Sequence, residues 1–301
     1  MKIYSTQETA QALEPEALLQ ALAKAFVDVS AGKASVPPRI AAAAPEGLLG
    51  AMVAYVPSLN VLAAKMVSVF PHNQTLPTHQ AVVMAFDPKT GAPLAVMDGT
   101  EITAQRTAAA SALAARLLAR EDSEVLSIVG TSVQAWWHAV HVGRVRKFRE
   151  VLIAGRDLAK ARTLAARVPN ARAVSIDEAV SKADVLCATT HAQTPVIFAG
   201  QVKPGTHLSS VGFSKDGGEM ESKLFDAALI AIEARSSSFG KPPAGAPELA
   251  GRDPAQAVEL GELLSGARQG RTSADQLTLY KSVGIAAEDA AAASLVLGRS
   301  A

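Results

Sequence analysis

Apolar residues recur with two different spacings in the first 120 residues. Helical spacing after Pro15 predicts an amphipathic helix over Glu14 to Val29, marked by Leu18, Leu22 and Phe26. Pro37 and Pro38 then force extended backbone, which places Arg39 at the mouth of a strand. Short apolar runs separated by turns follow, and they predict the strands of an antiparallel sheet at 50–56, 61–69, 81–86 and 94–97. An alanine- and leucine-rich helix is expected next, over Thr103 to Arg120, with Thr103 as its cap.

From residue 121 onwards, strand and helix patterns alternate. Val125–Val129 reads as a buried strand, Gly130–Ser132 as a tight turn, and Val151–Ala154 as a second strand. The helix between them is predicted from an apolar stripe of Val133, Trp136, Trp137, Val140 and Val145. The unit closes within about thirty residues, as a βαβ crossover does. Further strands are predicted at 173–174, 183–190, 206–211, 228–232 and 278–283, and 236–254 is predicted to be a surface loop. The fold class is therefore α/β with two domains, the boundary lying near Glu121.

Composition and charge limit the classes of partner and the compartment that are expected for this chain. The 301 residues carry 29 Lys and Arg against 28 Asp and Glu, a net charge of +1, which favours neither nucleic acid nor an anionic membrane as partner. A single cysteine, Cys187, excludes an internal disulfide and favours a reducing compartment. No signal peptide or long apolar run is visible, so a cytoplasmic protein is expected.

The turn after the first βαβ strand predicts a dinucleotide site. Gly130, Ser132 and Ala135 stand where a nucleotide-binding turn has G-x-G-x-x-G, so only the first glycine is kept. Ser132 can still donate its hydroxyl to a phosphate, and Ala135 permits close packing of helix on strand. The expected pyrophosphate contacts are therefore Gly130, Thr131, Ser132, Val133 and Gln134, at a helix N-terminus. An ordinary βα turn is the alternative.

The end of the second strand indicates which cofactor binds. Gly155 leaves room there, and the guanidinium of Arg156 can meet a 2′-phosphate with no carboxylate before it. NADP is therefore favoured over NAD, although NAD stays possible and Arg156 could be a plain surface arginine. Thr189 and Thr190 end a later strand and are expected to face the cofactor.

Two cations stand out before any comparison with known families. Lys65 interrupts an apolar strand, where an unpaired ammonium would be costly, so it should face a cavity or an anion. Arg106 falls in the first turn of the predicted helix, where cations are disfavoured, so it more readily binds an anion than stabilises the helix. Each of these, taken alone, could be a structural cation.

Three motifs resemble the ornithine cyclodeaminase and mu-crystallin family across nearly the full chain. They are the turn 129–135, the run 103–109 that reads TAQRTAA, and the ending 281–289 that reads KSVGIAAED. The resemblance implies homodimers with a substrate and dimerisation domain, here 1–120 plus 285–301, and an inserted Rossmann NAD(P)-binding domain, here 121–284.

The resemblance also implies the roles of the site residues. Arg39, Lys65 and Arg106 match the family's two arginines and lysine that bind the carboxylate of an amino or imino acid. Lys65 is then expected to supply the proton, with His79 acting through a water as the weaker candidate. The nicotinamide is expected near Thr189, Ser282 and Gly284.

One departure from the family pattern bears on the reaction. Cyclodeaminases of this family have an aspartate where this chain has Ser214, and Asp216 could replace it only with a two-residue shift. Together with Pro77–Gln80, the loop looks more like the branch that reduces cyclic ketimines such as Δ1-pyrroline-2-carboxylate to L-proline with NAD(P)H. The alternatives are an ornithine cyclodeaminase or alanine-dehydrogenase-like enzyme using NAD, and a mu-crystallin-like binding protein with little turnover.

Other candidate features are expected to be structural. His138 and His141 lie three apart without a further ligand nearby in sequence, so no metal site is expected. Cys187 is expected in the core of a strand rather than as a nucleophile.

Overall fold

This computed structural model describes residues 1–212 and 217–299, which contain two β-sheets. The first sheet has the strand order β1-β6-β5-β4-β3-β2 and is antiparallel except for the pair β1 and β6. Its strands are β1 Lys2–Ile3, β2 Ile40–Ala44, β3 Gly47–Val56, β4 Val61–Val69, β5 His79–Phe86 and β6 Pro93–Asp98. The helices of this region are α1 Thr6–Ala12, α2 Pro15–Ser30 and α3 Gly99–Leu118.

The second sheet is parallel throughout, with the order β13-β12-β14-β11-β10-β7-β8-β9. Its strands are β7 Val125–Val129, β8 Glu150–Ala154, β9 Ala171–Val174, β10 Val185–Ala188, β11 His207–Ser210, β12 Leu229–Ile232, β13 Val258–Glu259 and β14 Thr278–Lys281. The helices between these strands are α4 Val133–Val142, α5 Leu158–Ala165, α6 Ile176–Lys182, α7 Ser222–Ala227, α8 Arg235–Ser238 and α9 Leu260–Leu264, and the last helix of the chain is α10 Ala286–Val296. The winding reverses between β7 and β10, which is the position where nucleotide sites form in open parallel sheets. The predicted α/β fold class is confirmed.

The first sheet buries only one of its faces. Side chains of alternate residues, such as Met52, Ala63 and Val83, lie in the core, and α2, α3 and α10 pack against the sheet. Lys65 pairs in register with Met52 and Val83, so strand alternation turns it into this same buried face. The C-terminal helix α10 thus packs on the sheet formed by the start of the chain.

Helix α3 begins earlier than predicted. Asp98 is its N-cap, because Oδ1 accepts hydrogen bonds from the backbone N–H groups of Thr100 and Glu101 at 2.8 and 3.1 Å. The predictions that Thr103 caps the helix and that Arg106 lies in its first turn are therefore wrong. Arg106 lies two turns in, and the argument from its position at the helix end does not apply.

The predicted packing face of α4 is also wrong. Val133 is 58% exposed and Trp136 is only partly buried, with the Arg167 guanidinium stacked 4.0 Å from its ring centroid. The buried residues are instead Ala135, His138, Ala139, His141 and Val142. These residues pack mainly against the alanine-rich helix α3, whose close approach requires small side chains.

The segment predicted as a surface loop at 236–254 is more ordered and more buried than expected. It holds the end of α8 and 3-10 turns at Pro247–Leu249 and Pro254–Gln256. Ala244, Ala246 and Leu249 are buried. Cys187 is buried in β10, as predicted, and burial raises the pKa of its thiol. No helix within residues 1–212 and 217–299 is long and apolar enough to cross a membrane.

Candidate active site

A cavity of about 170 Å³ lies at the carboxyl ends of β11 and β14, facing α3 of the first half. Both halves of the chain contribute to its wall. Its lining residues are Arg39, Thr103, Arg106, Thr107, Gln134, Val211, Ala244, Ala246, Lys281, Ser282, Val283 and Gly284. Two of the three predicted anion-binding cations and three of the predicted cofactor residues therefore share one cavity.

Lys65 is buried behind this cavity. Its Nζ lies 2.9 Å from Oδ1 of Asp289 on α10 and 3.4 Å from Oγ1 of Thr103. Burial lowers the pKa of Lys65 to about 8, while attraction by Asp289 opposes the shift and repulsion by Arg106 adds to it. The prediction that Lys65 faces an anion is confirmed, the anion being a carboxylate of the protein. An ammonium with this pKa holds a proton that it can release near neutral pH.

Arg106 is buried between two carboxylates of α10. Its Nη1 donates to Oε2 of Glu288 at 2.9 Å, and its Nε lies 3.4 Å from Oδ1 of Asp289. Burial lowers the pKa of Arg106, but these carboxylates outweigh burial and raise it overall, so the guanidinium stays charged. Burial also raises the pKa of Glu288 to about 7, against the attraction of Arg106.

Arg39 reaches the same place from the segment before β2. Its Nη2 donates to the carbonyl oxygens of Val283 and Gly284. Burial, then repulsion by Arg106, lowers the pKa of Arg39. The structure thus brings Arg39, Lys65 and Arg106 together, as the motifs predicted. A planar guanidinium on the cavity wall matches a carboxylate with two parallel hydrogen bonds.

His79 begins β5 and lies on the same sheet face as Lys65. Burial, with repulsion from Lys65 and Arg106, lowers the pKa of His79 to about 4. Its imidazole is therefore neutral at physiological pH and has no acidic proton to give readily. This weakens His79 further as a proton donor.

Gly130 ends β7 in a conformation that only glycine adopts easily. Its φ is +137°, and a Cβ placed there would fall 2.2 Å from Oγ1 of Thr189. Thr189 is itself buried and donates to the Val129 carbonyl oxygen at 3.2 Å. Gly130 therefore allows the ends of β7 and β10 to approach each other where the nucleotide crevice is expected.

The N-terminus of α4 fits a phosphate group. Ser132 is the N-cap residue, it is exposed, and its side chain makes no capping hydrogen bond, so its hydroxyl is not engaged by the helix. The first N–H groups of a helix have no partner within it and can bind an anion. Gln134 lies in the cavity wall, and its buried Oε1 has no hydrogen-bond partner within the described parts of the chain. Such an orphaned acceptor suits a donor on a bound molecule, such as a ribose hydroxyl or a carboxamide.

Arg156 lies beside this turn. A Cβ on Gly155 would fall 2.8 Å from Cγ2 of Thr131, which shows how closely the end of β8 approaches the turn. The next residue, Arg156, is exposed. Asp157 is committed to capping α5, since Oδ1 accepts from the N–H groups of Ala159 and Lys160. This carboxylate is therefore not directed at a ribose.

Buried carboxylates hold the remaining predicted cofactor residues. Thr190 donates both its N–H and its hydroxyl to Oε2 of Glu219, at 2.7 Å each, so its side chain joins two loops rather than facing the crevice freely. Glu233 accepts from Tyr280 and Ser282 hydroxyls and from the N–H of Gly284, at 2.7 to 3.0 Å. Glu233 thereby shapes the loop that lines the cavity beneath Arg39.

Sequence reasoning missed four acidic residues and one lysine of the site. Glu288 and Asp289 were quoted only as part of a family motif, and Glu219, Glu233 and Lys281 were given no role. Lys281 is buried, and its Nζ lies 2.7 Å from Oε1 of Glu248. The sequence signal that could have identified these residues is the one used for Lys65. A charged residue in apolar surroundings requires a partner.

Ser214 and Asp216, on which the comparison with cyclodeaminases depends, lie outside the described residues. Within residues 1–212 and 217–299, no group of three or more histidine, cysteine or acidic side chains could hold a metal ion. His138 is instead a buried histidine whose ring nitrogens contact the Gln134 carbonyl oxygen at 2.8 Å and the Ser111 hydroxyl at 3.0 Å.

Comparison with known proteins shows the family to which this chain belongs. The profile of the ornithine cyclodeaminase/mu-crystallin family matches residues 2–301. The chain is 39% identical over 255 residues to the ketimine reductase mu-crystallin of Mus musculus, an alignment that covers 83% of this chain and 80% of the mouse protein. The structure of Thermococcus litoralis Δ1-pyrroline-2-carboxylate reductase in complex with NADH and L-proline matches with a TM-score of 0.92 and 31% identity, covering 99% of this chain and 97% of that one. An archaeal alanine dehydrogenase dimer with bound NAD matches with a TM-score of 0.91 and 28% identity, covering 99% and 95%.

Proposed function

This chain belongs to the ornithine cyclodeaminase/mu-crystallin family, and from that premise we propose that it reduces a cyclic ketimine acid, such as Δ1-pyrroline-2-carboxylate to L-proline, with NAD(P)H. The observation that carries the proposal is the shared cavity. Arg39 and Arg106 line it from one side, and Gln134 and Ser282 line it from the nucleotide side. A small anionic substrate and a dinucleotide can therefore meet there.

The cations bind and orient the substrate. Arg39 and Arg106 reach the cavity wall as guanidinium groups, and Lys65 adds a third positive charge behind them. A carboxylate held by such groups fixes the plane of the ring and so the position of the C=N carbon. Fixing two reacting groups in this way accounts for a large part of the rate gain in reactions of this type.

The reduction requires a hydride and a proton. When bound, the reduced nicotinamide supplies the hydride, which brings two electrons to the C=N carbon. Lys65 supplies the proton: an Nζ–H bond breaks and an N–H bond forms on the substrate nitrogen. Lys65 is the better donor than His79, because its pKa of about 8 keeps it mostly protonated at neutral pH whereas the pKa of His79 is about 4.

The proposed cofactor residues are Gly130 to Gln134, Arg156, Thr189, Ser282 and Gly284. Thr190 is left out of this set, because its N–H and its hydroxyl are both bound by Glu219. NADPH is the preferred cofactor in this proposal, since Arg156 is exposed beside the turn and Asp157 is engaged as a helix cap. NADH remains a second cofactor. The L-proline and NADH bound by the Thermococcus litoralis enzyme agree with the substrate class and with a nicotinamide cofactor.

The test is an NADPH and NADH oxidation assay with Δ1-pyrroline-2-carboxylate and its six-membered homologue. Ornithine with NAD and alanine with NAD serve as the competing substrates. Preferential reduction of the cyclic ketimines supports the proposal. Turnover of ornithine or alanine alone would replace it by one of the other two activities, and NADPH binding without consumption of any imine would indicate a binding protein.

The proposed enzyme is a homodimer formed through the first sheet. The face of this sheet opposite α10 carries apolar side chains that remain exposed, among them Leu49 at 46%, Val53 at 44% and Val82 at 44%. The edge strand β2, of sequence IAAAA, is exposed along its whole length. An apolar sheet face of this kind is typical of a subunit interface. The division into a substrate and dimerisation domain, 1–120 plus 285–301, and a Rossmann domain, 121–284, belongs to the same proposal.

A further inference from the structure

Asp289 connects two of the substrate-binding cations through a single atom. Its Oδ1 lies 2.9 Å from Nζ of Lys65 and 3.4 Å from Nε of Arg106. The side chain is 2% exposed, so both contacts are made without water competing for the charges. The three residues come from β4, α3 and α10, and Asp289 thus fixes where Lys65 sits relative to Arg106.

The second oxygen of Asp289 resembles the oxygens of ion-paired Glu248, which also lack hydrogen-bond partners within the described residues, and differs from the oxygens of Glu233 and Glu219. Glu233 and Glu219 are saturated, since each accepts from several backbone and hydroxyl donors. Oδ2 of Asp289 is buried and has no hydrogen-bond partner within residues 1–212 and 217–299. A carboxylate kept only for structure is normally satisfied on both oxygens. Asp289 is therefore directed at the cations and not at the backbone.

We infer that Asp289 is a positioning residue for proton delivery, holding Lys65 in its charged form and in place until the ammonium gives its proton to the substrate nitrogen. This inference rests on the proposed function. In each turnover the hydride adds two electrons at carbon, the Lys65 Nζ–H bond breaks, and the amine N–H bond forms. Lys65 is left neutral beside Asp289 and takes a proton from solvent before the next cycle.

The surroundings of Lys65 predict a pH dependence. The groups around it are Asp289 and Glu288 from α10, Arg106 from α3, Arg39 from the segment before β2, and His79 from β5. Burial and the two arginines lower the pKa of Lys65, and Asp289 is the neighbour that raises it. The protonated donor is present below this pKa and is lost as pH rises through it. Removing the Asp289 charge must therefore move the alkaline limb of the rate profile to lower pH.

The experiment compares Asp289→Asn with Asp184→Asn in a pH profile of kcat/KM. Asp184 is a matched control, since it is also buried and ion-paired, with Arg120 and Lys203, and lies directly before β10, at the amino ends of the parallel strands. We expect the alkaline midpoint of Asp289→Asn to fall by at least about one pH unit and that of Asp184→Asn to stay at the wild-type value. A folded Asp289→Asn enzyme with an unchanged midpoint would overturn the inference.

A direct titration separates this inference from the proposed function. The ¹⁵Nζ signal of Lys65, assigned by its loss in Lys65→Met, is expected to titrate with a midpoint near the pKa of about 8 in wild type and lower in Asp289→Asn. This readout needs no turnover. An enzyme that reduces no cyclic ketimine, yet shows the shifted titration, would disprove the proposed reaction and leave the coupling of Asp289 to Lys65 standing. If the enzyme reduces cyclic ketimines but Lys65 titrates in Asp289→Asn as in wild type, the proposed reaction stands and the coupling of Asp289 to Lys65 is disproved.

A double variant covers the case in which Asp289→Asn does not fold. Replacing both members of a buried ion pair avoids leaving one charge alone, so Lys65→Met with Asp289→Asn is expected to fold. Because Asp289 acts through Lys65, this double variant should be as slow as Lys65→Met alone. A further loss of rate on adding Asp289→Asn would show an independent role and contradict the inference.

Discussion

Gly284 lies directly against the guanidinium of Arg106. A Cβ added to Gly284 would fall 2.7 Å from Nη1 and 2.8 Å from Nη2, and the backbone has a φ of +69°. The carboxylate of Glu233 fixes this glycine by accepting its N–H at 3.0 Å. The loop after β14 and the arginine on α3 therefore share one tightly packed contact at the cavity wall, and anything that enlarges Gly284 must move Arg106.

Gly284→Ala is expected to raise KM for the ketimine by about tenfold or more, because Arg106 can no longer take its position and the new residue is strained at positive φ. The dissociation constant of NADPH is also expected to rise, because Gly284 is one of the proposed cofactor residues. Gly266→Ala is the control, since Gly266 also has a positive φ, of +73°, but no atom lies within 4 Å of its added Cβ. Equal effects of the two substitutions on KM would show that backbone strain, and not the contact with Arg106, is responsible.

Gly130→Ala tests the nucleotide turn. The added Cβ would overlap Oγ1 and the carbonyl oxygen of Thr189, at 2.2 and 2.9 Å, so the ends of β7 and β10 must separate. Fluorescence titration should show NADPH affinity reduced by about tenfold or more, as expected when phosphate-binding N–H groups are displaced. An unchanged affinity in a folded Gly130→Ala protein would argue against pyrophosphate binding at this turn.

Arg156→Gln should separate the two cofactors. Loss of the guanidinium is expected to weaken NADPH about 10- to 100-fold, because its charged hydrogen bonds to the 2′-phosphate disappear, while NADH binding stays nearly constant. Arg162→Gln, an exposed arginine further along α5, is the control for a general change of surface charge. Parallel losses for both cofactors, or equal losses in the two variants, would remove Arg156 from the proposed phosphate site.

Much of the fold could be predicted from the sequence because its signals are local. The β-branched run 125–129, the glycine after it and the prolines before Arg39 each act over a few residues. The start of α3 was misplaced because Thr103 was interpreted as the cap, whereas the Asp98 side chain caps the helix. The face of α4 was misassigned because the tryptophans outweighed the alanines in the apolar pattern, although close packing on α3 requires the small residues.

The site was predicted only in part, and the reason is long-range pairing. Lys65 could be identified as unusual from its own strand, but its partner lies 224 residues away. The partners of Arg106 and Ser282, Glu288 and Glu233, lie 182 and 49 residues away. A sequence pattern reports that a buried charge needs a counterion. It does not report which carboxylate provides it, since that depends on how α10 returns to the first sheet.

Glu233→Gln is expected to destabilise the loop after β14. Glu233 accepts from four donors, and an amide would turn an NH₂ group towards some of them, leaving buried N–H and O–H groups unpaired. We expect the free energy of unfolding to fall by at least about 2 kcal/mol and KM for the ketimine to rise. Glu8→Gln, at an exposed helix cap, is the control. A Glu233→Gln protein of wild-type stability would show that the carboxylate is not what holds this loop.

Val53→Glu tests the proposed dimer face. Val53 lies on β3, is 44% exposed, and belongs to the apolar sheet face opposite α10. Two copies of a charge facing each other across a symmetric interface would be desolvated without a partner, so the substitution should convert the wild-type dimer to a monomer in sedimentation velocity. Leu158→Glu is the matched control, because Leu158 is a similarly exposed apolar residue, at 42%, on α5 of the nucleotide half. A wild-type protein that sediments as a monomer, or a Val53→Glu variant that stays dimeric, would exclude this face as the interface. Since the buried face of the same sheet carries Lys65, loss of the dimer is also expected to lower kcat/KM while leaving NADPH binding at the parallel sheet largely intact.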